Sequence, residues 1–235
     1  MIDFKEIPFH LDDLNELNKL NINFAFQPIY DTKNLEVMAV EALMRPAGKT
    51  PLQLIDEYQE MDKLYVIELA TCFGATMEFL KRGYSYDICI NSFPSERLND
   101  GQIKLFFDCF PDMEGRIIVE MVEYTELNKN KWDAKKEEIS THAMKVALDD
   151  YSTGNNDDDA VEYFNPHYVK FDRSLITDVN IDKEKQRVIS ELTDRFGRRG
   201  IKIIAEGVET EEELDYIRNN TSIDYVQGYY LARPQ

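Results

Sequence analysis

An α/β barrel of eight strands, a (β/α)8 TIM-like fold with an antiparallel first strand, is what the sequence predicts. Three observations predict it. Strand-like and helix-like periodicities alternate along nearly the whole chain. The first two strand-like runs stand too close together for a crossover helix, so they read as an antiparallel hairpin. The 235 residues, 43% hydrophobic, match the roughly 200–250 residues of such barrels. No Gly/Ser/Pro-rich linker and no internal repeat interrupts the pattern. One domain over residues 1–235 is expected, with 1–23 a helical lead-in and 24–234 the barrel.

Taken in order, a first helix over about Leu11–Leu20 precedes a strand at Phe24–Ile29. The turn Tyr30-Asp31-Thr32-Lys33-Asn34 returns the chain into a second strand at Val37–Leu43. A long helical pattern, Leu52–Lys81, broken once, leads to a third strand at Asp87–Asn91, and a fourth follows at Arg116–Glu120. A helix at Trp132–Met144 leads to Lys145–Asp149, and the sixth strand is Tyr168–Phe171. The helix Lys183–Arg199 shows an apolar stripe at Val188, Leu192 and Phe196. It feeds the strand Lys202–Ala205. Thr210 before Glu211-Glu212-Glu213 is a capping box that opens a helix at Glu211–Asn219. The eighth strand is Tyr225–Gly228, and the residues to Gln235 leave no room for a last helix.

Composition excludes several function classes. Lys and Arg number 27 against 45 Asp and Glu, a net charge of −18. No nucleic-acid polymer is an expected partner, because phosphate contacts need clustered cations. A small phosphorylated ligand remains compatible, since bound divalent cations reverse the local field. No apolar run approaches the ~18 residues of a membrane segment, and Met1–Glu6 lacks the marks of a signal peptide. Cys72, Cys89 and Cys109 form no CxxC pair and read as reduced, buried thiols, which fits a cytoplasmic location. His10, His142 and His167 are scattered and suggest no zinc site.

The chemistry collects where strands end. In barrels of this type the active site forms at the carboxyl ends of the strands. Those ends read Glu41, Asn91, Glu120, Asp149-Asp150, Lys170, Glu206 and Gln227. Neighbouring strands lie about 4.8 Å apart, so the carboxylates converge and repel unless protonated or bridged by a cation. Carboxylates with an amide suit hard cations such as Mg²⁺ or Mn²⁺. Asp149-Asp150 supplies two ligand directions if the chain bends there, opening a paired-metal site for attack of water on phosphorus. Lys170, inside an apolar run, either forms a structural salt bridge or orients water and stabilises phosphoryl charge. Arg45 is a candidate phosphate clamp.

Glu41-Ala42-Leu43-Met44-Arg45 resembles the signature of EAL-domain cyclic-di-GMP phosphodiesterases. Further blocks follow in family order. They are Phe26-Gln27-Pro28-Ile29, Asn91, Glu120-Met121-Val122-Glu123, Leu148-Asp149-Asp150, Val169–Ser174, Ala205–Thr210 and Val226-Gln227-Gly228-Tyr229. The resemblance implies hydrolysis of cyclic di-GMP to linear pGpG with Mg²⁺ or Mn²⁺, two per site. It implies that Glu41, Asn91, Glu120, Asp149 and Glu206 bind the first metal and Asp150 the second. Lys170 then holds the nucleophilic water, Glu206 serves as its base, and Gln227 completes the polar floor. Gln27, Leu43 and Arg45 contact the ligand, and Glu123 and Glu209 brace the loop after the fifth strand.

The chain departs from the family in that loop. Tyr151-Ser152-Thr153-Gly154-Asn155-Asn156-Asp157 stands where Phe-Gly-Thr-Gly-Tyr-Ser-Ser is common, and Val122 where threonine is common. In the family this loop couples dimerisation to metal binding, so a homodimer is implied through the segment that differs most. The alternative reading is a catalytically idle EAL domain acting as a cyclic-di-GMP receptor or protein-interaction module. An unrelated metal-dependent barrel enzyme is a third.

Overall fold

Alternation along each strand, one side chain inward and the next outward, positions everything that follows. The computed structural model describes residues 1–122, 129–151 and 158–235. Within them eight strands close a barrel in chain order: β1 (Ile22–Asp31), β2 (Val37–Pro46), β3 (Asp87–Ser92), β4 (Ile117–Met121), β5 (Lys145–Tyr151), β6 (Tyr168–Phe171), β7 (Lys202–Ala205) and β8 (Tyr225–Val226). Strands β2 to β8 run parallel. Strand β1 is antiparallel to both neighbours. The turn that reverses it is built as its residues suggest. The Asp31 carboxylate accepts the backbone N–H groups of Lys33 and Asn34 at 2.8 and 3.1 Å.

The helices are α1 (Leu11–Leu17), α2 (Pro51–Glu60), α3 (Leu64–Lys81), α4 (Asp100–Cys109), α5 (Lys129–Thr141), α6 (Asp158–Phe164), α7 (Arg173–Ile176), α8 (Lys183–Arg198) and α9 (Glu211–Asn220). The expected break between α2 and α3 falls at Met61–Lys63, where Asp62 takes φ +55°. Reciprocal capping boxes start α2, α4 and α9, the last through Thr210 and Glu213 as expected. Several boundaries differ from the sequence reading. Strand β1 starts at Ile22 rather than Phe24, and β8 ends at Val226, before Gln227. Helix α5 starts at Lys129 and stops at Thr141, ahead of Met144. The buried stripe of α8 is Ile189, Thr193 and Phe196, with Val188 and Leu192 half-buried at its margins. Thr193 is tolerated there because its hydroxyl donates to the Ser190 carbonyl at 3.0 Å.

Strands β1 and β8 pair at only two positions, Tyr30 with Val226 and Asp31 with Tyr225. Residues 228–235 form no helix. They run beside β1, where Phe26 and Gln235 exchange backbone hydrogen bonds at 2.8 and 3.0 Å. Outward-facing strand residues join the helices in one large apolar core. A second, smaller cluster plugs the barrel itself: Ile29, Ala39, Cys89, Ile118, Ala147, Tyr168 and Ile204. These inward side chains set the floor under the polar layer described next. Among the described residues, no helix is long and apolar enough to cross a membrane, and all three cysteines are free. Cys89 is buried in the plug, whereas Cys72 and Cys109 are half-buried.

Candidate metal centre at the strand carboxyl ends

Two residues beyond each plug residue the strand turns the same face inward again. Ala39 is followed in this way by Glu41, Cys89 by Asn91, Ile118 by Glu120 and Ala147 by Asp149. Tyr168 leads likewise to Lys170, Ile204 to Glu206 and Tyr225 to Gln227. On antiparallel β1 the count reverses, and Ile29 points to Gln27. The apolar plug and the polar site are thus consecutive layers of one barrel interior.

Lys170 stands at the centre. Its side chain is 1% exposed, and its ammonium pairs with Glu120, Glu206 (2.8 Å), Asp149 (2.9 Å) and Glu41 (3.6 Å). Burial alone pulls its pKa down, yet Glu206 and Glu41 reverse that and hold the lysine above its ordinary value. Burial pushes Glu206 the other way, up to about 7. Lys170 offsets part of that rise, and Glu41 and Asp150 add to it.

Glu41, Glu120, Asp149 and Glu206 share the Lys170 ammonium, and Asp150 stands beside them. Carboxylates this close repel unless a proton or a cation lies between them. Their oxygens fall into two groups. Oxygens of Glu41, Glu120 and Glu206 lie within 4.8 Å of one another, and so do those of Asp149, Asp150 and Glu206. Glu206 belongs to both triads, which the sequence did not reveal. The bend expected at Asp149-Asp150 is present as an irregularity between Leu148 and Tyr151, with Asp150 at φ +44°. It lets two consecutive carboxylates serve one site. Glu120 Oε2 and Gln227 Oε1 are buried without a hydrogen-bond partner, costly for polar atoms unless a ligand satisfies them. An all-oxygen donor set with orphaned buried acceptors fits Mg²⁺ or Mn²⁺.

The remaining expected site residues fall as follows. Gln227 donates from Nε2 to Glu41 Oε2 at 2.7 Å and so orients that carboxylate. Its loop lies backbone against backbone with the loop after Glu206, because a Cβ at Gly228 would overlap the Val208 carbonyl. Leu43 and Arg45 line a mouth of about 230 Å³ beside Asn91, Phe93 and Asp149. Gln27 is buried opposite Glu41 in the β1–β2 register. It gives its amide N–H to the Ala232 carbonyl at 3.0 Å. Glu209 pairs with Arg173, whose stem packs on Gly207 at φ +68°. Glu123 and residues 152–157, including the expected brace and dimer contact, lie outside the described residues.

Sequence reasoning missed a hydrogen-bond cluster that joins β5, α6 and α8. The Tyr151 hydroxyl donates to Asp158 at 2.6 Å, and Arg195 on α8 donates to both, at 2.6 Å to Tyr151 and 2.7 Å to Asp158. Burial, together with the Asp158 hydrogen bond, pushes the Tyr151 phenol up to about 12. The signal was a tyrosine where the family has phenylalanine. Tyr151→Phe should lower stability by about 1–2 kcal/mol in urea unfolding; an unchanged midpoint would show that the hydroxyl holds nothing.

The EAL domain family model matches residues 12–234, almost the entire chain. The chain belongs to the EAL-domain family. Among curated relatives this EAL chain is 26% identical over 223 residues to the probable cyclic di-GMP phosphodiesterase PdeN of Escherichia coli. That match covers 89% of this chain and 43% of PdeN, so the chain spans less than half of that relative's length. A standalone EAL protein of Vibrio cholerae, solved in a cyclic-di-GMP-bound form, superposes with TM-score 0.82 at 23% identity over 92% of each chain. BlrP1 of Klebsiella pneumoniae, solved as a manganese and cyclic-di-GMP complex, gives TM-score 0.78 at 23% identity. It covers 91% of this chain and 56% of its own. The EAL barrel with its antiparallel first strand is the fold found here.

Proposed function

We propose that this EAL domain hydrolyses cyclic di-GMP to linear pGpG with two Mg²⁺ or Mn²⁺ ions. The observation that carries the reading is the pair of carboxylate triads sharing Glu206 around Lys170. Glu41, Asn91, Glu120, Asp149 and Glu206 would hold one cation, and Asp150 with Asp149 and Glu206 the other. When bound, the cations neutralise phosphoryl charge and acidify water, as in other two-metal hydrolases. PdeN and the manganese complex of BlrP1, by their names, support the substrate and the cation class.

The residues of the chain supply the rest. Once cations hold the carboxylates that now share its ammonium, Lys170 would be free to turn N–H donors toward the attacking water and the charge building on the phosphoryl oxygens. Glu206 accepts the water proton. Gln227 keeps Glu41 oriented, and Arg45 with Leu43 receives the dinucleotide at the mouth. Water oxygen bonds to phosphorus, the P–O3′ bond breaks, and the 3′ oxygen leaves as a hydroxyl by taking up the proton that Glu206 accepted from the water. Free cysteines suit the cytoplasm, where such a second messenger acts.

Hydrolysis in ¹⁸O-water tests this: one ¹⁸O should appear in the terminal phosphate of pGpG. Unlabelled product, or a product other than pGpG, would contradict the proposed step. A cyclic-di-GMP receptor without turnover is the second reading. The departure from the family at Ser152, Asn155 and Asn156 favours it, and binding without any product would establish it.

A further inference from the structure

A buried polar network lies immediately outside the barrel, behind Asn91. Glu68 is embedded in an otherwise apolar stretch of α3, and Lys135 is on α5, 67 residues away. Their side chains are 8% and 6% exposed and meet at 2.7 Å. Between them they grip the two residues that follow Asn91. Glu68 accepts from the Ser92 hydroxyl at 2.6 Å and from the Phe93 N–H at 3.0 Å. Lys135 donates to the Ser92 hydroxyl oxygen at 2.6 Å and to the Phe93 carbonyl at 2.9 Å. All three ammonium protons have an acceptor, and both carboxylate oxygens are used.

Stability alone does not explain such a network. A buried ion pair roughly breaks even against apolar residues of the same volume. What this one fixes is a strand tip. Ser92 is the last residue of β3, pointing outward, and the preceding Asn91 points inward beside Glu120. Ser92 and Phe93 are buried, and a cavity of about 60 Å³ lined by Asn91, Ser92, Glu68 and Lys135 among apolar side chains borders them. The four hydrogen bonds to Ser92 and Phe93 fix the direction of the tip beside that space.

We infer that Glu68, Lys135 and Ser92 are positioning residues that hold the Asn91 amide in the metal-binding layer. The inference rests on the proposed function, in which Asn91 is a metal ligand. Outer groups that orient ligands change metal affinity by about 10–100-fold, so the test is Mn²⁺ affinity by calorimetry in the absence of nucleotide. Ser92→Ala and Lys135→Met should each weaken Mn²⁺ binding about tenfold. Neither should weaken it further in an Asn91→Ala background, since both act through that amide. Ser92→Ala removes a single hydroxyl and keeps the proposal open to test if Lys135→Met fails to fold. Wild-type affinity in folded Ser92→Ala overturns the inference, as does a loss that adds to that of Asn91→Ala. A wild-type chain that binds no Mn²⁺, or an Asn91→Ala variant that binds it equally well, overturns the proposed ligand set and this inference with it.

Discussion

Lys170→Met should separate two tasks that one ammonium performs. Without divalent cations the variant leaves Glu41, Glu120, Asp149 and Glu206 facing one another with their shared partner gone. Removing one member of a buried ion cluster costs about 3–5 kcal/mol, so the cation-free variant should unfold at much lower urea concentration than wild type. Saturating Mn²⁺ should restore most of that loss, because cations replace the missing charge and bind only the folded state. Turnover should not return. A preorganised donor that stabilises charge in the transition state contributes roughly 10²–10³-fold, so kcat should stay down by about that factor while dinucleotide affinity is kept. Recovery of both stability and kcat would reduce Lys170 to a charge-balancing residue.

Glu206→Gln should damage metal binding more than any other single carboxamide substitution in the ring. Glu206 belongs to both triads, whereas Glu41 belongs to one. Calorimetry with Mn²⁺ should therefore find about two ions on the wild-type chain. One should remain on Glu41→Gln, held by Asp149, Asp150 and Glu206. Glu206→Gln should weaken both sites, by at least the tenfold that ligand-orienting changes cost. The same variant removes the carboxylate proposed to take the water proton, so hydrolysis should vanish with it. Equal stoichiometry in Glu206→Gln and Glu41→Gln would show that the triads are not bridged by Glu206.

Much of this site was legible because barrel geometry is periodic. Glu41, Asn91, Glu120, Asp149, Lys170 and Glu206 each end or follow a recognisable apolar run, and the fold turns those ends toward one mouth. The plug beneath these six was equally open to reading, since each follows a plug residue two positions earlier. What the sequence withheld depends on distant neighbours. The left-handed Asp150 is set by the irregular pairing of β5 with β6, and no residue in Leu148-Asp149-Asp150 announces it. Glu68 and Lys135 meet across two helices and a strand, so each alone reads as an ordinary charge. Phe196 on α8 is buried as expected, but Val188 and Leu192 stand one position before the buried Ile189 and Thr193, because Thr193, polar in sequence, is buried through a bond to its own helix.

If the carboxylate and lysine ring cleaves a cyclic dinucleotide, as proposed, release of pGpG reports that cleavage without an intermediary. Purified protein incubated with cyclic di-GMP and Mn²⁺ should release pGpG, resolved by chromatography, and Glu41→Ala should release none under the same conditions. Cyclic di-GMP bound by the wild-type protein and recovered intact would contradict the account and leave a receptor built on the barrel of a hydrolase.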